Sequence, residues 1–288
     1  MVINMEEQHT TVYCECRICG SRAEHTLYHV KEMYFGTRKE FAYFECEKCQ
    51  CLQIMEIPEN LEEFYTQEYY SFQRPEMRIP LTAHRMEAKV LDVGCGAGEW
   101  LMEQYAQGYV NLFGCDFFID EDIIYEPCID IKKCTIHEIK GSFDFIRLKD
   151  SFEHMGDPYE VLVSIERLLN ENGVCLISMP VFPNAAYDVF KENWYEWDAP
   201  RHLFIHSEKS MDYLCRKAGL KIKGIEYNSG DLQFITSLLY QEGIPYVEQN
   251  SDVIKKYFSP EELAKILELT NGLNQNGYGD HAVFTIGK

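Results

Sequence analysis

A short apolar run, Lys89-Val90-Leu91-Asp92-Val93, leads directly into Gly94-Cys95-Gly96-Ala97-Gly98 and then into an apolar helix opening at Glu99. This strand–glycine–helix junction constrains the fold more than anything else in the chain. Glycines let the backbone turn sharply and let a ligand approach it closely, and the first N–H groups of the helix have no partners of their own. The same rhythm continues beyond the junction. Strands are expected over Asn111 to Cys115, Phe143 to Leu148, Gly173 to Met179, Ile222 to Tyr227 and Ala282 to Ile286. Asp157-Pro158-Tyr159-Glu160 reads as a capping box with proline at the first helical position. The helix after it carries Val161, Leu162, Ile165, Leu168 and Leu169 on one face and is expected to stop at Asn172-Gly173. A further helix is expected over Ser207 to Leu220. Alternating strands and helices imply an α/β fold, a doubly wound, mostly parallel sheet with helices on both faces.

In such a fold the ligand lies beyond the carboxyl ends of the strands. Asp116 ends the next strand about 20 residues on, where a carboxylate can accept both hydroxyls of a ribose. The glycine spacing is G-x-G-x-G rather than the G-x-G-x-x-G that holds a pyrophosphate. Asp92, just before the glycines, would repel a pyrophosphate and suits the ammonium group of a methionine moiety.

On these residues the stretch Lys89 to Lys288 resembles class I S-adenosylmethionine-dependent methyltransferases. Leu91 to Gly98 is similar to the family's first motif. Phe143-Asp144-Phe145-Ile146, followed by Glu153-His154 and Asp157-Pro158, is similar to its fourth strand and the helix after it. Gly173 to Pro180 is similar to its fifth strand. The resemblance implies a seven-stranded sheet and S-adenosylmethionine as cofactor. Asp92, Gly94, Gly96, Gly98 and Asp116 would bind it, and Thr135-Ile136 would meet the adenine edge. The family often has an acidic residue where Thr135 stands.

Six of the twelve cysteines fall between Cys14 and Cys51. Cys16-x2-Cys19 and Cys46-x2-Cys49 are two knuckles 26 residues apart, able to present four thiolates to one structural Zn2+. Gly20 permits the left-handed turn that such knuckles favour, and Cys14 and Cys51 are spare thiols. A closed four-sulfur site leaves no position for a substrate. The expected organisation is a zinc-binding β module over 1–58, a helical linker over 59–88 (Phe64, Tyr65, Tyr69, Tyr70, Phe72, Pro75, Pro80) and the methyltransferase domain over 89–288. Cys16 to Phe72, Pro200-Arg201-His202-Leu203 and Asn274 to Phe284 are similar to bacterial methyltransferases of sugar and surface-polysaccharide modification. That resemblance implies a small-molecule or glycan acceptor.

An aromatic-rich insertion (Phe182, Tyr187, Phe190, Trp194, Tyr195, Trp197, Phe204) is expected to form a lid or pocket wall, its flat faces suited to a sugar ring, a quinone or a phenol. Methyl transfer to oxygen needs a group to take the proton. His202, beside Arg201, is the first candidate, and His154, Asp150 and His206 are the others; His202 or Arg201 could instead hold substrate. Asp150-x-x-Glu153-His154 could alternatively share a helical face and hold a divalent ion at the active site.

The net charge of −20, with no basic run, disfavours nucleic acid and membrane surfaces as partners. A polar, acidic start and the lack of a long apolar run make the cytoplasm the expected compartment. The expected function is O-methylation of a sugar, nucleotide-linked or part of a surface glycan. The competing readings are a small aromatic or quinone O-methyltransferase, sugar C- or N-methylation, and a non-catalytic binding protein on a degenerate methyltransferase fold. Oligomeric state is not encoded in any of these features.

Overall fold

A computed structural model of the chain describes residues 10–65, 75 and 85–288. The acidic start and most of the expected linker, including Tyr69, Tyr70, Phe72 and Pro80, lie outside the described residues. The chain forms two compact units. One gathers Met1–Glu59, Val181–Met211 and Ser229–Asp280; the other gathers Asn60–Pro180, Asp212–Asn228 and His281–Lys288. The units therefore do not follow the expected consecutive stretches 1–58, 59–88 and 89–288.

The first unit is built on five antiparallel strands: β1 (Thr11–Glu15), β2 (Arg22–Lys31), β3 (Glu40–Glu45), β4 (Leu52–Ile54) and β11 (Phe204–Ile205), in that spatial order. The last strand explains why the unit extends past residue 58. Phe204 and Ile205 pair with Gln53 and Leu52, and Ile54 N–H donates to the Leu203 carbonyl at 3.1 Å. The unit also holds α3 (Ala185–Phe190), α5 (Leu232–Gln241), α6 (Ser251–Tyr257) and α7 (Pro260–Gln275). Trp194 and Trp197 are buried in it. Trp197 packs on Tyr28, Tyr43 and Tyr187 with ring centroids 5.2–6.2 Å apart.

The second unit is an eight-stranded sheet, not the expected seven. Its strands are β5 (Met86–Val93), β6 (Tyr109–Cys115), β7 (Ile123–Tyr125), β8 (Ile129–Lys132), β9 (Phe143–Lys149), β10 (Leu169–Pro180), β12 (Lys221–Tyr227) and β13 (His281–Gly287). The spatial order is β12-β13-β10-β9-β5-β6-β8-β7. Pairings from β10 across to β8 are parallel; β13 runs antiparallel to both its neighbours. The extra strand, β7, is a three-residue edge strand in an antiparallel hairpin with β8, and its Tyr125 hydroxyl donates to the Ala97 carbonyl at 3.0 Å.

Helices α1 (Glu99–Ala106) and α2 (Pro158–Leu168) bury Leu101, Met102, Val161, Leu162, Ile165 and Leu168. Helix α2 ends four residues before the expected Asn172-Gly173 stop. That dipeptide instead sits in a register shift between Leu169 and Val174, so it punctuates a strand rather than a helix. The expected capping box at Asp157 does not close: the Asp157 carboxylate turns to His137 Nε2 at 3.0 Å. Helix α4 (Glu208–Lys217) follows β11. No helix among the described residues is long and apolar enough to cross a membrane.

Candidate functional site

At the carboxyl end of β5, Gly94, Gly96 and Gly98 all take positive φ (72°, 52° and 86°). Two of them are also fixed by space. A Cβ at Gly94 would lie 2.6 Å from Ser151 Cβ, and one at Gly98 would lie 2.4 Å from Ile131 Cδ1. Gly96 N–H donates to Asp116 Oδ2 at 2.9 Å, and Phe118 N–H donates to Oδ1 at 2.8 Å. Burial raises the Asp116 pKa above the usual carboxylate value, opposed by N–H groups of Phe118, Gly96 and Ile119. Two oxygens offer about four acceptor positions, so the carboxylate keeps capacity for ribose hydroxyls.

Asp92 is buried at the floor of the loop. Arg147 on β9 reaches it with Nη1 3.1 Å from Oδ1 and 3.2 Å from Oδ2, and stacks its guanidinium over Trp100, 4.3 Å from the ring centroid. Burial pushes the Asp92 pKa up to about 6, with Arg147 pulling against that shift. Thr135 contributes less than expected. Its N–H and hydroxyl both face Glu138 Oε2, at 3.0 and 3.2 Å, and Ile136 is buried. What this pair offers an adenine is backbone and apolar surface rather than a free hydroxyl.

Asp150, at the end of β9, has φ +48°, and its amide donates to the Ser178 carbonyl at 2.8 Å. This left-handed turn aims the side chain at β13, where Oδ1 lies 2.8 Å from His281 Nε2; His281 Nδ1 lies 2.8 Å from Asn228 Oδ1. Residues Phe152–His154 form a short 3-10 turn in which Glu153 is buried, and His154 Nδ1 meets the Tyr65 hydroxyl at 3.1 Å. The expected shared face of Asp150, Glu153 and His154 is therefore not formed, because His281 draws Asp150 aside.

In the first unit His202 is buried, with Nδ1 2.7 Å from the Glu196 carbonyl oxygen and Nε2 3.8 Å from Asp198 Oδ2. A carbonyl only accepts, so Nδ1 carries the hydrogen in the neutral ring. The neighbouring Arg201 is fully buried. Its Nε donates to Asp198 Oδ2 at 2.8 Å, and its guanidinium lies 4.4 and 5.3 Å from the ring centroids of Tyr34 and Phe35. His206 is completely buried, which pushes its pKa down to about 3. The expected aromatic lid is also largely core, since Phe182, Tyr187, Phe190, Trp194, Trp197 and Phe204 are all buried.

The two cysteine knuckles meet. Cys16 and Cys49 sulfurs are 3.6 Å apart, Cys19 and Cys46 are 3.7 Å apart, and all four lie within 4.8 Å of one another. Tetrahedral Zn–S bonds of about 2.3 Å require S···S edges of about 3.8 Å. The loops are alike: Gly20 and Gln50 both take positive φ and donate N–H to the Cys16 and Cys46 carbonyls, at 2.9 and 2.6 Å. Cys16 is held low, to about 4, chiefly by a hydrogen bond from the Cys49 thiol and also by Cys19 N–H and Gln53 Nε2. The buried Gln53 amide donates to Cys16 Sγ at 2.9 Å, the kind of outer contact that orients a thiolate ligand. Cys14 and Cys51 stand outside this group.

A family model described as a methyltransferase domain matches residues 66–223, more than half of the chain. The chain belongs to this methyltransferase family. A ubiquinone biosynthesis O-methyltransferase of Actinobacillus pleuropneumoniae is 31% identical over 105 residues, covering 31% of this chain and 44% of that protein. The chain thus spans less than half the length of that relative. Among solved structures, the cyclopropane synthase MmaA2 of Mycobacterium tuberculosis has a TM-score of 0.44 at 16% identity, over 72% of this chain and 80% of that one. A putative methyltransferase complexed with the Trm112 activator of Haloferax volcanii has a TM-score of 0.47 at 14% identity, over 71% and 84%.

The chain carries a methyltransferase domain. Its fold brings Asp92, the three glycines and Asp116 to one end of the sheet and gathers Cys16, Cys19, Cys46 and Cys49. Four residues of interest escaped the sequence reading. Arg147 reads as an ordinary polar position on a strand. His281 is 131 residues from its partner Asp150. Phe117 and Phe118, directly after Asp116, are 57% and 39% exposed, and an aromatic pair following a strand-end carboxylate was the signal available for them.

Proposed function

We propose that this methyltransferase carries out O-methylation of a hydroxyl-bearing small molecule, a sugar in nucleotide-linked form or destined for a surface glycan. The donor's sulfonium supplies the methyl group. The observation that carries the donor site is the 2.9 Å bond from Gly96 N–H to Asp116 Oδ2, which makes the glycine loop and the ribose carboxylate one rigid constellation. In this reading Asp116 takes the ribose hydroxyls, and Asp92 faces the donor ammonium with Arg147 holding it in place. Gly94, Gly96 and Gly98 leave room for the donor backbone, and Thr135-Ile136 with Phe117 border the adenine. His202 is the proposed base through Nε2. Cys16, Cys19, Cys46 and Cys49 hold one structural Zn2+, supported by their tetrahedral sulfur spacing.

A second reading, O-methylation of a catechol or quinol, is favoured by the likeness to the ubiquinone biosynthesis O-methyltransferase. One assay separates the two. The zinc-loaded protein is incubated with S-adenosylmethionine carrying an isotopically labelled methyl group and, in parallel, with nucleotide sugars, free sugars and catechols. Label in a sugar fraction supports the first reading, and label in the catechols alone replaces it with the second. Calorimetry with S-adenosylhomocysteine tests the donor site directly: one site per chain is expected, and no binding would remove the donor assignment altogether.

A further inference from the structure

Cys115 ends β6 immediately before Asp116, and Cys134 lies two residues beyond β8, immediately before Thr135. Neither has a part in the zinc cluster or in the chemistry described above. The backbone sets them side by side. Cys115 is in register with Lys132, and the Lys132 carbonyl accepts both Asp116 N–H at 3.1 Å and Cys134 N–H at 3.0 Å, so the chain curls back at the end of β8. The two thiols influence each other's acidity in opposite directions. Their settings differ: Cys115 is buried, whereas Cys134 is half-buried and lines a cleft of about 310 Å³ with Lys89, Lys132 and Lys140.

An accessible sulfur with thiolate character beside a buried partner thiol is the arrangement that peroxide-reactive thiols require. The neighbouring Cys115 thiol lowers the Cys134 pKa, and Lys132 adds to that against burial, Glu138 and Asp122, whereas Cys115 is raised well above the ordinary thiol value. The more acidic sulfur is thus the one that faces solvent.

We propose that Cys134 and Cys115 form a two-thiol redox site, in which Cys134 reacts with a hydroperoxide and Cys115 resolves the product to a disulfide. The Cys134 thiolate attacks the distal peroxide oxygen and the O–O bond breaks. The leaving alkoxide takes a proton, and Cys134 becomes a sulfenic acid. The Cys115 sulfur then attacks the Cys134 sulfur, the S–O bond breaks, and water leaves with the Cys115 proton. Two thiols lose two electrons in total, and the hydroperoxide is reduced to an alcohol, or to water when the oxidant is hydrogen peroxide. The new bond ties together the segments that carry Asp116 and Thr135. Its effect on the donor site rests on the reading given above; its formation does not.

The test treats the zinc-loaded full chain with a small excess of hydrogen peroxide, alkylates it, digests it and maps the peptides by mass. The expected product is a Cys115–Cys134 cross-link that dithiothreitol reverses. Cys115→Ser should stop the reaction at a sulfenic acid on Cys134 that dimedone traps, and Cys134→Ser should leave Cys115 reduced. Cys128, also half-buried, is the internal reference. In wild-type protein Cys134 should alkylate at least ten times faster than Cys128. Equal rates, or peroxide treatment that yields no Cys115–Cys134 link, overturn the proposal. In the same samples the affinity for S-adenosylhomocysteine should fall at least tenfold on oxidation and return on reduction. A disulfide that forms with no change in affinity upholds the redox site and overturns the placement of Asp116 and Thr135 at the donor.

Discussion

Arg147 Nη1 lies within 3.2 Å of both carboxylate oxygens of Asp92, yet the Asp92 pKa still rises to about 6, because burial outweighs the guanidinium. The pair is therefore poised rather than locked, and it gives donor binding a pH dependence. A donor ammonium favours the ionised carboxylate, so affinity for S-adenosylhomocysteine should fall as pH drops through about 6. The unliganded protein should behave in the opposite sense. A folded pKa raised from 3.8 to about 6 gives a stability contribution that is present in full below 3.8 and lost as pH rises through 6, on the order of 3 kcal/mol. Calorimetric titrations and thermal melts between pH 5 and 8 check both signs. Arg147→Met should move the binding midpoint upward, and a midpoint that stays put would detach Asp92 from the donor.

The glycine loop gives a prediction from sterics alone. At Gly94, φ is +72° and an added Cβ would meet Ser151 Cβ at 2.6 Å, while Ser151 is anchored by its hydroxyl to the Val93 carbonyl at 3.1 Å. Ser151 thus has no easy retreat. Gly94→Ala should cost about 2–4 kcal/mol, combining left-handed strain with overpacking, and weaken donor binding at least tenfold. Gly20→Ala is the contrast: nothing lies within 4 Å of its Cβ. That substitution should show the backbone strain only. Denaturant melts of the two variants side by side make the comparison.

Much of the central sheet was legible because its signals are local. The buried run Val90-Leu91 before three glycines, and Pro158 at the start of an apolar helical face, each declare their element within ten residues. What was hidden is long-range. Strand β11 is two residues whose partners in β4 lie about 150 positions away, so nothing nearby shows that Phe204-Ile205 complete the cysteine sheet. The aromatic insertion was misread for the same reason. Its composition suits a lid or a core equally, and only the packing of Trp197 on Tyr28 and Tyr43 decides for core. At Asp150 a positive φ, which no sequence pattern announces, turned an expected metal ligand toward His281.

Removing a zinc thiolate should be felt well beyond the knuckles. Elemental analysis of protein purified without chelator should find about one zinc per chain, and Cys46→Ser should release it. Trp194 and Trp197 belong to the same compact unit as the four cysteines, so their fluorescence should shift to the red as that unit loosens. S-adenosylhomocysteine binding should persist, since the donor residues belong to the other unit. Protein that retains native fluorescence without metal would show that the four sulfurs pack without zinc.

The final prediction concerns the base. The Glu196 carbonyl, 2.7 Å from His202 Nδ1, fixes the tautomer in which Nε2 can accept a proton. With whichever acceptor takes label in the methylation assay, His202→Ala should leave donor affinity almost unchanged and cut turnover by roughly 10²–10⁴, the usual worth of a general base. His202→Gln is the companion variant: it keeps a polar side chain near Glu196 without a proton acceptor of suitable basicity, so it should fold well and remain slow. The rival mechanism, a divalent ion at Asp150, Glu153 and His154, predicts activity lost to a chelator mild enough to spare the thiolate zinc. Asp150 is held 2.8 Å from His281, away from that role, so turnover should survive the chelator. Full activity in His202→Ala, together with chelator sensitivity, would reverse the assignment and return Asp150 to the reacting centre.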